Sequence, residues 1–473
     1  MGAIKTMKEV EGALPKKKDA QYIRILDSEG NPSLISKVDL AYALGVSGGS
    51  IPLTLEVNID FTNPSPEVER IGTPDFPNWL ENSIQGIMVK DGAVNYQLDR
   101  KTSLQKATGG AAVIDGTDGD ICMDWVRFWT KITPNAKGLN IRYSNTPKLG
   151  DGWVESPQIW VGATEMVIRT HDGKQTAHSC YNMSAEYRGG NGANWDGQPK
   201  SLLGKPKTQI PHDAMRTACR NKGTFASGCY HNFNYQAFVK MNLMFMAIFG
   251  TRDWQADFAG IDPLTGFPKR DSKGFRYGGL GRGVTTANYD WWNTFNGLNP
   301  FIPTNAGLGL GCGSGVADYV LNTGSETKQF RVPVFCGVVN PFGHIWKAID
   351  GLTKTIELSG STKKDVWGIF ADPEKYVSSG VESAAKVVRI DTLPDENYLK
   401  EVDSNFLPVK VGGTESENFC DRYYMNANPG NYSVWLGGSA ADGGLAGGWS
   451  VASDLGVGAA IAHFGGRLCF SPS

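Results

Sequence analysis

Turn-forming and aromatic residues limit the folds that are open to this chain. Its 473 residues include 59 glycines, 13 tryptophans, 16 tyrosines and 21 phenylalanines. Glycine supplies the backbone conformations that tight turns need, and aromatic side chains fill cores. The combination favours a loop-rich fold with irregular strands over a helical bundle.

Charge and hydropathy exclude several classes of partner. The net charge is −2, and the densest basic run, residues 16–18, is typical of a solvated segment. A protein that binds the phosphates of nucleic acid needs a basic surface. This chain shows no basic run that would form one, so we expect no nucleic-acid partner. No stretch approaches the roughly 18 apolar residues of a spanning helix, so we expect no membrane insertion. The N-terminus lacks the apolar core of a signal peptide, which predicts synthesis in the cytoplasm without export.

The eight cysteines are widely spaced and form no Cys-x-x-Cys pair. This spacing predicts buried free thiols from a reducing compartment. A zinc site needs clustered ligands, and the six histidines are scattered as well.

Catalytic motifs are missing from the sequence. It contains no phosphate-binding Gly-Lys-Ser/Thr loop and no His-Glu-x-x-His helix. Four aspartates lie close together within residues 115–124 and could bind calcium. Their spacing differs from the EF-hand pattern, so acidic turns between strands are the favoured interpretation. A Trp-Trp pair at residues 291–292 could stack a sugar ring, although a core pair is the favoured interpretation. We therefore expect no enzyme activity, no cofactor and no metal.

Turn residues divide the chain into two predicted regions. Residues 21–26 and 34–35 are predicted strands around a turn, followed by a helix over residues 36–44. Prolines at 64 and 66 predict a boundary, which gives an N-terminal region, residues 1–64, and a module, residues 65–473.

Within the module, two helices are predicted. Pro211 suits the first position of a helix over residues 211–223, and apolar residues recur at helical spacing over residues 235–249. Two helices beside a loop-rich, strand-poor sequence predict an α+β fold. Residues 352–410 are more charged and are predicted to form a peripheral excursion.

Five sequence blocks carry a family resemblance. They are YGGLGRGVTT (277–286), NPFIP (299–303), NPFGHIWK (340–347), WLGGS (435–439) and GRLCF (466–470). In this order they resemble the C-type-lectin-like proteins of phages and prophages, the group that contains the retroelement-diversified major tropism determinants.

The resemblance implies a fold and a function. The fold would be a C-type-lectin-like α+β module with two helices, a small twisted sheet and long loops, behind a small N-terminal attachment segment. The function would be that of a tropism-determining phage tail protein, a homotrimer in the virion. It would bind a bacterial surface receptor, protein or glycan, and its residues 1–64 would contact a tail or baseplate protein. A host or prophage surface adhesin is the alternative.

The enzyme alternative comes from the formylglycine-generating enzymes, which look similar at this level. They depend on reactive cysteines near the corresponding Gly-Gly-Ser region. Here no cysteine follows that region until Cys469, in an apolar strand that suits an inert thiol.

Residues 436–470 are predicted to be the variable region. In diversified relatives, the favoured asparagine codons cannot become codons for Lys, Glu, Gln, Met or Trp. Residues 436–470 contain no Lys, Glu, Gln or Met, whereas the 35 residues before them contain five. The 10 glycines and 7 alanines of the same stretch offer another explanation, a loop of small residues.

Within this region, two sets of positions are predicted. The receptor-binding positions are Ser439, Asp442, Leu445, Trp449, Ser450, Ala452, Asp454, Leu455, Ala459, Ile461 and His463. All of them except Trp449 are predicted to project outward. Trp449 is a fixed position, interpreted either as the aromatic anchor of the binding surface or, at least equally well, as a core residue. The scaffold positions, predicted to hold the backbone or the core, are Phe342, Trp346, Gly437, Gly438, Gly443, Ala446, Gly447, Gly466, Arg467, Leu468 and Cys469.

Overall fold

Strands dominate the protein, which we describe from a computed structural model. The described residues are 22–26, 32–36, 52–72, 75–189, 192–197, 201–256, 275, 301–322, 327–394, 397–426, 428–440 and 442–472. The structure is 41% strand and 13% helix. The predicted α+β class with two helices and a small sheet is wrong, because the protein is mainly β with several sheets. Many of its strands have only two or three residues, too few to show an alternating pattern in the sequence.

Three α-helices lie in the described ranges: α1 (Asp75–Ser83), α2 (His212–Arg220) and α3 (Tyr235–Phe249). Both predicted helices are confirmed as α2 and α3, whereas α1 was not predicted. The Asn234 side chain caps α3 by accepting a hydrogen bond from the Ala237 N–H at 2.8 Å. Gly250, with φ of 71°, ends α3 in the left-handed conformation that glycine adopts without strain.

The strands are numbered in chain order. Those before residue 158 are β1 (Tyr22–Leu26), β2 (Pro32–Ser36), β3 (Thr54–Asp60), β4 (Glu69–Gly72), β5 (Gln85–Lys90), β6 (Ala93–Gln97), β7 (Asp120–Trp125), β8 (Phe128–Pro134), β9 (Gly138–Ser144) and β10 (Val154–Ser156). The middle strands are β11 (Ile159–Gly162), β12 (Val167–His171), β13 (Lys174–His178), β14 (Thr224–Phe225), β15 (Gly228–Asn232), β16 (Gly315–Asn322), β17 (Thr327–Phe335), β18 (Val338–Val339), β19 (Trp346–Ala348) and β20 (Leu352–Ser359). The last are β21 (Thr362–Ile369), β22 (Lys386–Asp391), β23 (Asn397–Val402), β24 (Pro408–Val411), β25 (Arg422–Met425), β26 (Gly430–Tyr432), β27 (Trp435–Leu436), β28 (Val451–Ser453), β29 (Phe464–Gly465) and β30 (Leu468–Pro472).

Two seven-stranded sheets organise the body. Their strand orders are β14-β15-β30-β11-β7-β5-β6 and β24-β23-β25-β28-β27-β19-β29. A five-stranded sheet has the order β10-β8-β9-β3-β4, and a four-stranded sheet the order β22-β21-β20-β26. Most neighbours are antiparallel, but β19 pairs with β29, and β25 with β28, in parallel. The second seven-stranded sheet therefore gathers short strands from residues 346–465.

The predicted boundary at residues 64/65 falls inside a sheet. Strand β3, on its N-terminal side, pairs along its whole length with β9 on the other side. Phe61 also packs against Phe419, with ring centroids 6.2 Å apart. Residues 54–64 therefore belong to the body. The predicted strands near residues 21–26 and 34–35 are confirmed as the β1–β2 hairpin.

Several predicted features lie outside the described residues. They are the helix predicted to follow Ser36, the sequence block at residues 277–286, the first two residues of the block at 299–303, and the Trp-Trp pair at 291–292.

Helix α3 lies in the largest buried cluster. Its Phe245 ring stacks on the Trp254 ring at 3.8 Å between centroids. The ammonium group of Lys240 donates to the backbone carbonyls of Val126 at 2.6 Å and Pro157 at 2.9 Å. The helix is thereby tied to the strands around it, which fits the buried face that its apolar spacing predicted.

The predicted peripheral excursion, residues 352–410, is a set of ordered strands. Strands β20, β21 and β22 form an antiparallel sheet, and Trp367 on β21 is fully buried. Between β20 and β21, Lys354 Nζ lies 3.1 Å from Asp365 Oδ2, and both side chains are fully buried. The inner side of this segment is therefore part of the core.

Candidate functional site

Four of the predicted receptor-binding positions are buried: Ser439, Trp449, Ser450 and Ala452. For Ser439, Ser450 and Ala452 the prediction of an outward-facing side chain is wrong. Ser439 donates from its backbone N–H and its hydroxyl to Asp442 Oδ2, at 2.7 and 2.8 Å. The Ser450 hydroxyl donates to the Leu445 carbonyl at 2.7 Å. These short polar side chains serve hydrogen bonds inside the loop rather than solvent.

Trp449 is a core residue, as one of its two interpretations stated. It is 1% exposed, and its ring lies 4.8 Å from the Phe419 ring and 5.6 Å from the Phe406 ring. Its backbone N–H donates to Asp421 Oδ2 at 2.7 Å. Burial raises the pKa of Asp421 well above its usual range. A side chain at this depth cannot contact a receptor.

The other seven predicted positions are partly exposed. They are Asp442, Leu445, Asp454, Leu455, Ala459, Ile461 and His463. Leu455, Ala459 and Ile461 pack at the edge of one buried cluster, whereas Leu445 is not among the residues packed there. Leu455, Ala459 and Ile461 therefore form an apolar group at this surface, and Leu445 does not belong to it.

An ion-paired cluster adjoins these residues and was missed by sequence reasoning. On β25, the Arg422 guanidinium stacks over the Tyr424 ring at 4.4 Å. Arg422 Nη1 lies 3.5 Å from Asp442 Oδ1, and β25 runs beside β28, which leads into Asp454. Tyr424 packs at the edge of the same buried cluster as Leu455. The structure places Arg422 and Tyr424 on the more exposed side of β25, and the four-residue strand Arg-Tyr-Tyr-Met is too short for its sequence to show this.

We define the C-terminal face as this set of side chains. Its members are Arg422, Tyr424, Asp442, Asp454, Leu455, Ala459 and Ile461. The set combines two carboxylates, one guanidinium, one phenol and three aliphatic groups. It lacks a base oriented toward a nucleophile, which suits recognition better than reaction chemistry.

The scaffold under this face follows the prediction. All the predicted scaffold positions are buried, including Phe342, Ala446, Leu468 and Cys469. Gly438 has φ of 68°, and a Cβ there would lie 2.5 Å from the Cβ of Ala446. A Cβ on Gly447 would lie 2.0 Å from the Asp421 carboxylate. The loop can therefore follow this path only with glycine at both positions.

Arg467 joins three segments just before the last strand. Nη1 donates to the carbonyls of Gly162 at 2.8 Å and Ala163 at 3.2 Å, and Nη2 to those of Val339 at 2.5 Å and Asn340 at 3.0 Å. Burial lowers the pKa of Arg467 to about 10, so it remains charged at neutral pH.

A second buried charge centre lies close to Arg467. Glu165 is 2% exposed and lies within ion-pair distance of His344 Nδ1 and Lys347 Nζ, the latter at 3.2 Å. Burial alone would raise the pKa of Glu165, but His344 and Lys347 lower it to about 2. The predicted scaffold block at residues 340–347 is thus held by charge as well as by Phe342 and Trp346.

The environment of Cys469 argues against thiol chemistry. The side chain is fully buried, and burial raises the pKa of its thiol to about 12. A thiol is a nucleophile only as thiolate, so this one is unreactive near neutral pH. Of the eight predicted buried thiols, seven are buried and Cys229 is partly exposed.

The carboxylates at residues 115–124 take different partners. Asp118 Oδ2 accepts from the Tyr96 hydroxyl at 3.1 Å, and Asp124 accepts from Gln158 at 2.7 Å. Asp120 pairs with Lys222 at 2.8 Å. Across the described ranges, no three His, Cys, Asp or Glu side chains are grouped as a metal site would require.

Comparison with known proteins identifies no family. No protein-family model matches the chain, and no curated protein is significantly similar to it. No helix in the described parts of the chain has the length and apolar character needed to cross a bilayer. The geometry of the C-terminal face is therefore the main basis for proposing a function.

Changing Asp454 to asparagine should stabilise the protein at neutral pH. Burial raises the pKa of Asp454 to about 6. The wild type therefore loses stability as pH rises from about 4 to 6, because the folded state resists ionisation. Compared with the wild type, Asp454→Asn should raise the free energy of unfolding by up to about 3 kcal/mol above pH 6 and change it little at pH 4, because asparagine does not ionise. Urea unfolding of both proteins from pH 4 to 7 measures the difference, and a difference that is constant across this range would contradict it.

Proposed function

We propose that this protein is the receptor-binding protein of a tailed phage and adheres to a bacterial surface ligand through the C-terminal face. The observation that carries the proposal is the pairing of partly exposed, chemically unrelated side chains with a buried glycine and arginine scaffold. A rigid scaffold lets surface residues change without loss of the fold. The absence of Lys, Glu, Gln and Met from residues 436–470 supports diversification of this region.

The proposal includes assembly. The receptor is a bacterial protein or glycan, and the N-terminal region contacts a tail or baseplate protein. A homotrimer would present three copies of the face, which raises avidity without any new contact. Light scattering of the purified chain distinguishes a trimer from a monomer.

Phage adsorption tests the proposed face directly. We expect virions that carry Leu455→Asp, Ala459→Asp and Ile461→Asp to adsorb at least about thirtyfold more weakly, because losing apolar contacts at a binding hot spot costs roughly 2 kcal/mol or more. Circular dichroism and thermal melting of the purified variant check that it folds. If the triple variant does not fold, Ala459→Asp alone provides the test.

A matched control carries the same added charge elsewhere. Leu149, Val320 and Leu358 are 92%, 59% and 60% exposed and lie outside the face. Their triple aspartate variant should adsorb like the wild type. Normal adsorption by the folded face variant, or equal loss in both triple variants, would refute the proposed face.

A further inference from the structure

A polar pocket lies apart from the C-terminal face and shares no residue with it. Its volume is about 230 Å³. Residues 116–120, strands β12 and β13, and the turn after α2 form its walls, which include Asp120, Arg169, His178, Lys222 and Tyr230. The volume is that of a ligand the size of one monosaccharide.

The floor of the pocket is a buried ionic trio. Asp120 is 1% exposed, and its carboxylate lies 2.8 Å from Lys222 Nζ and 3.2 Å from His178 Nδ1. It also accepts the Ser179 backbone N–H at 3.0 Å. Burial would raise the pKa of Asp120, but Lys222 and His178 lower it to about 2. The carboxylate therefore stays ionised, and both of its oxygens already have donors.

The groups left to face a ligand are mainly donors. An ammonium has three N–H groups. Lys222 uses one toward Asp120, and its Nζ also lies 3.2 Å from His178 Nδ1 and 4.8 Å from the centre of the Tyr230 ring, so at least one N–H is left. Arg169 on β12 lies opposite Thr176 on β13, and both line the pocket. Arg169 also pairs through Nε with Glu186 at 2.7 Å, and this pair is partly exposed to solvent, which weakens it.

The cations of the walls supply these donors. Three lining side chains are cationic and two are anionic; they are Lys90, Arg169 and Lys222 against Asp91 and Asp120. Glu186, which pairs with Arg169 from outside the lining, balances the charges. The surplus in the lining is therefore one of donors, which match an acceptor-rich anion. Perturbed ionisable groups gathered in a cleft also mark functional sites more often than a surface ion pair does.

We propose that this pocket binds an oxyanion, a carboxylate or a phosphate, carried by a ligand the size of one sugar unit. The anion would lie against Arg169 and the remaining N–H of Lys222. The hydroxyl of Thr176 would contact the rest of the ligand. The pocket would be a second binding site, independent of the C-terminal face.

Titration calorimetry on the full chain tests the pocket with three probes: glucuronate, glucose 6-phosphate and glucose. At least one acid should bind with a dissociation constant of about 1 mM or lower, and glucose at least about tenfold more weakly. The acid that binds more tightly identifies the source as carboxylate or phosphate. Failure of both acids to bind, or glucose binding as tightly as they do, would overturn the proposal.

Variants locate the binding in the pocket. Lys222 is left intact, because its loss would strand the buried Asp120. Lys90→Gln with Arg169→Gln removes two partly exposed cations and should weaken acid binding by at least about tenfold. Arg142→Gln on β9 breaks a partly exposed pair with Glu56 on β3 and should leave binding unchanged. Equal effects of the pocket and control variants would also overturn the proposal, whatever the C-terminal face does in adsorption assays.

Discussion

Replacing Arg467 with methionine is expected to lower the free energy of unfolding by about 3–5 kcal/mol, the range for breaking buried charged interactions. The guanidinium is 1% exposed and serves four backbone carbonyls from two separate segments. Methionine fills similar space but donates nothing, so these buried carbonyls lose their partners. Urea denaturation at pH 7 measures the loss.

Two further variants separate charge from geometry. Arg467→Lys keeps the charge but lacks the planar fork, so an intermediate loss is expected. Arg389→Met, on exposed β22, breaks a 3.9 Å pair with Glu357 and should change stability by less than about 1 kcal/mol. If Arg467→Met lowers the free energy of unfolding no more than the Arg389→Met control does, the hydrogen bonds from Arg467 to the carbonyls contribute little to stability.

Replacing Trp449 with alanine should cost about 3–5 kcal/mol, because truncating a buried aromatic leaves a cavity. The ring is enclosed by Phe238, Phe406 and Phe419. Its Nε1 has no hydrogen-bond partner in the described part of the structure. Trp449→Phe should therefore lose clearly less, since it removes ring area but no hydrogen bond.

Stability and adsorption distinguish the two interpretations of Trp449. A core residue predicts that Trp449→Phe keeps normal adsorption while lowering the melting temperature. A direct receptor anchor predicts the reverse, with weakened adsorption at unchanged stability. The second result would contradict the burial that the structure shows.

Helices and scaffold glycines were predictable because their signals are local. The spacing of Phe238, Met241 and Phe245 predicted α3, and the glycine at Gly438 predicted an unusual turn. Sheet membership was not predictable, because several strands of the second seven-stranded sheet, such as β19 and β29, pair with strands far away in sequence. Nothing in residues 422–425 indicates that they lie parallel to residues 451–453.

The errors in the predicted face have a common cause. Ser439, Ser450 and Ala452 are small, and small or polar residues in a glycine-rich stretch look like surface positions. A short polar side chain can be buried if its hydrogen bond is local, as Ser450 shows with Leu445. Conversely, Arg422 and Tyr424 were missed because they precede residue 436. They lie outside the stretch that was predicted to be variable from its amino-acid composition.

The position of β30 has a consequence for how the protein folds. This strand lies inside a seven-stranded sheet between β15 and β11, where Val161 pairs with Cys469. Until residues 468–472 have been synthesised, β11 and β15 each have an edge without this partner. Such long-range pairing slows folding and exposes strand edges to association meanwhile. A chain truncated before residue 468 would therefore lack the strand that joins β15 to β11.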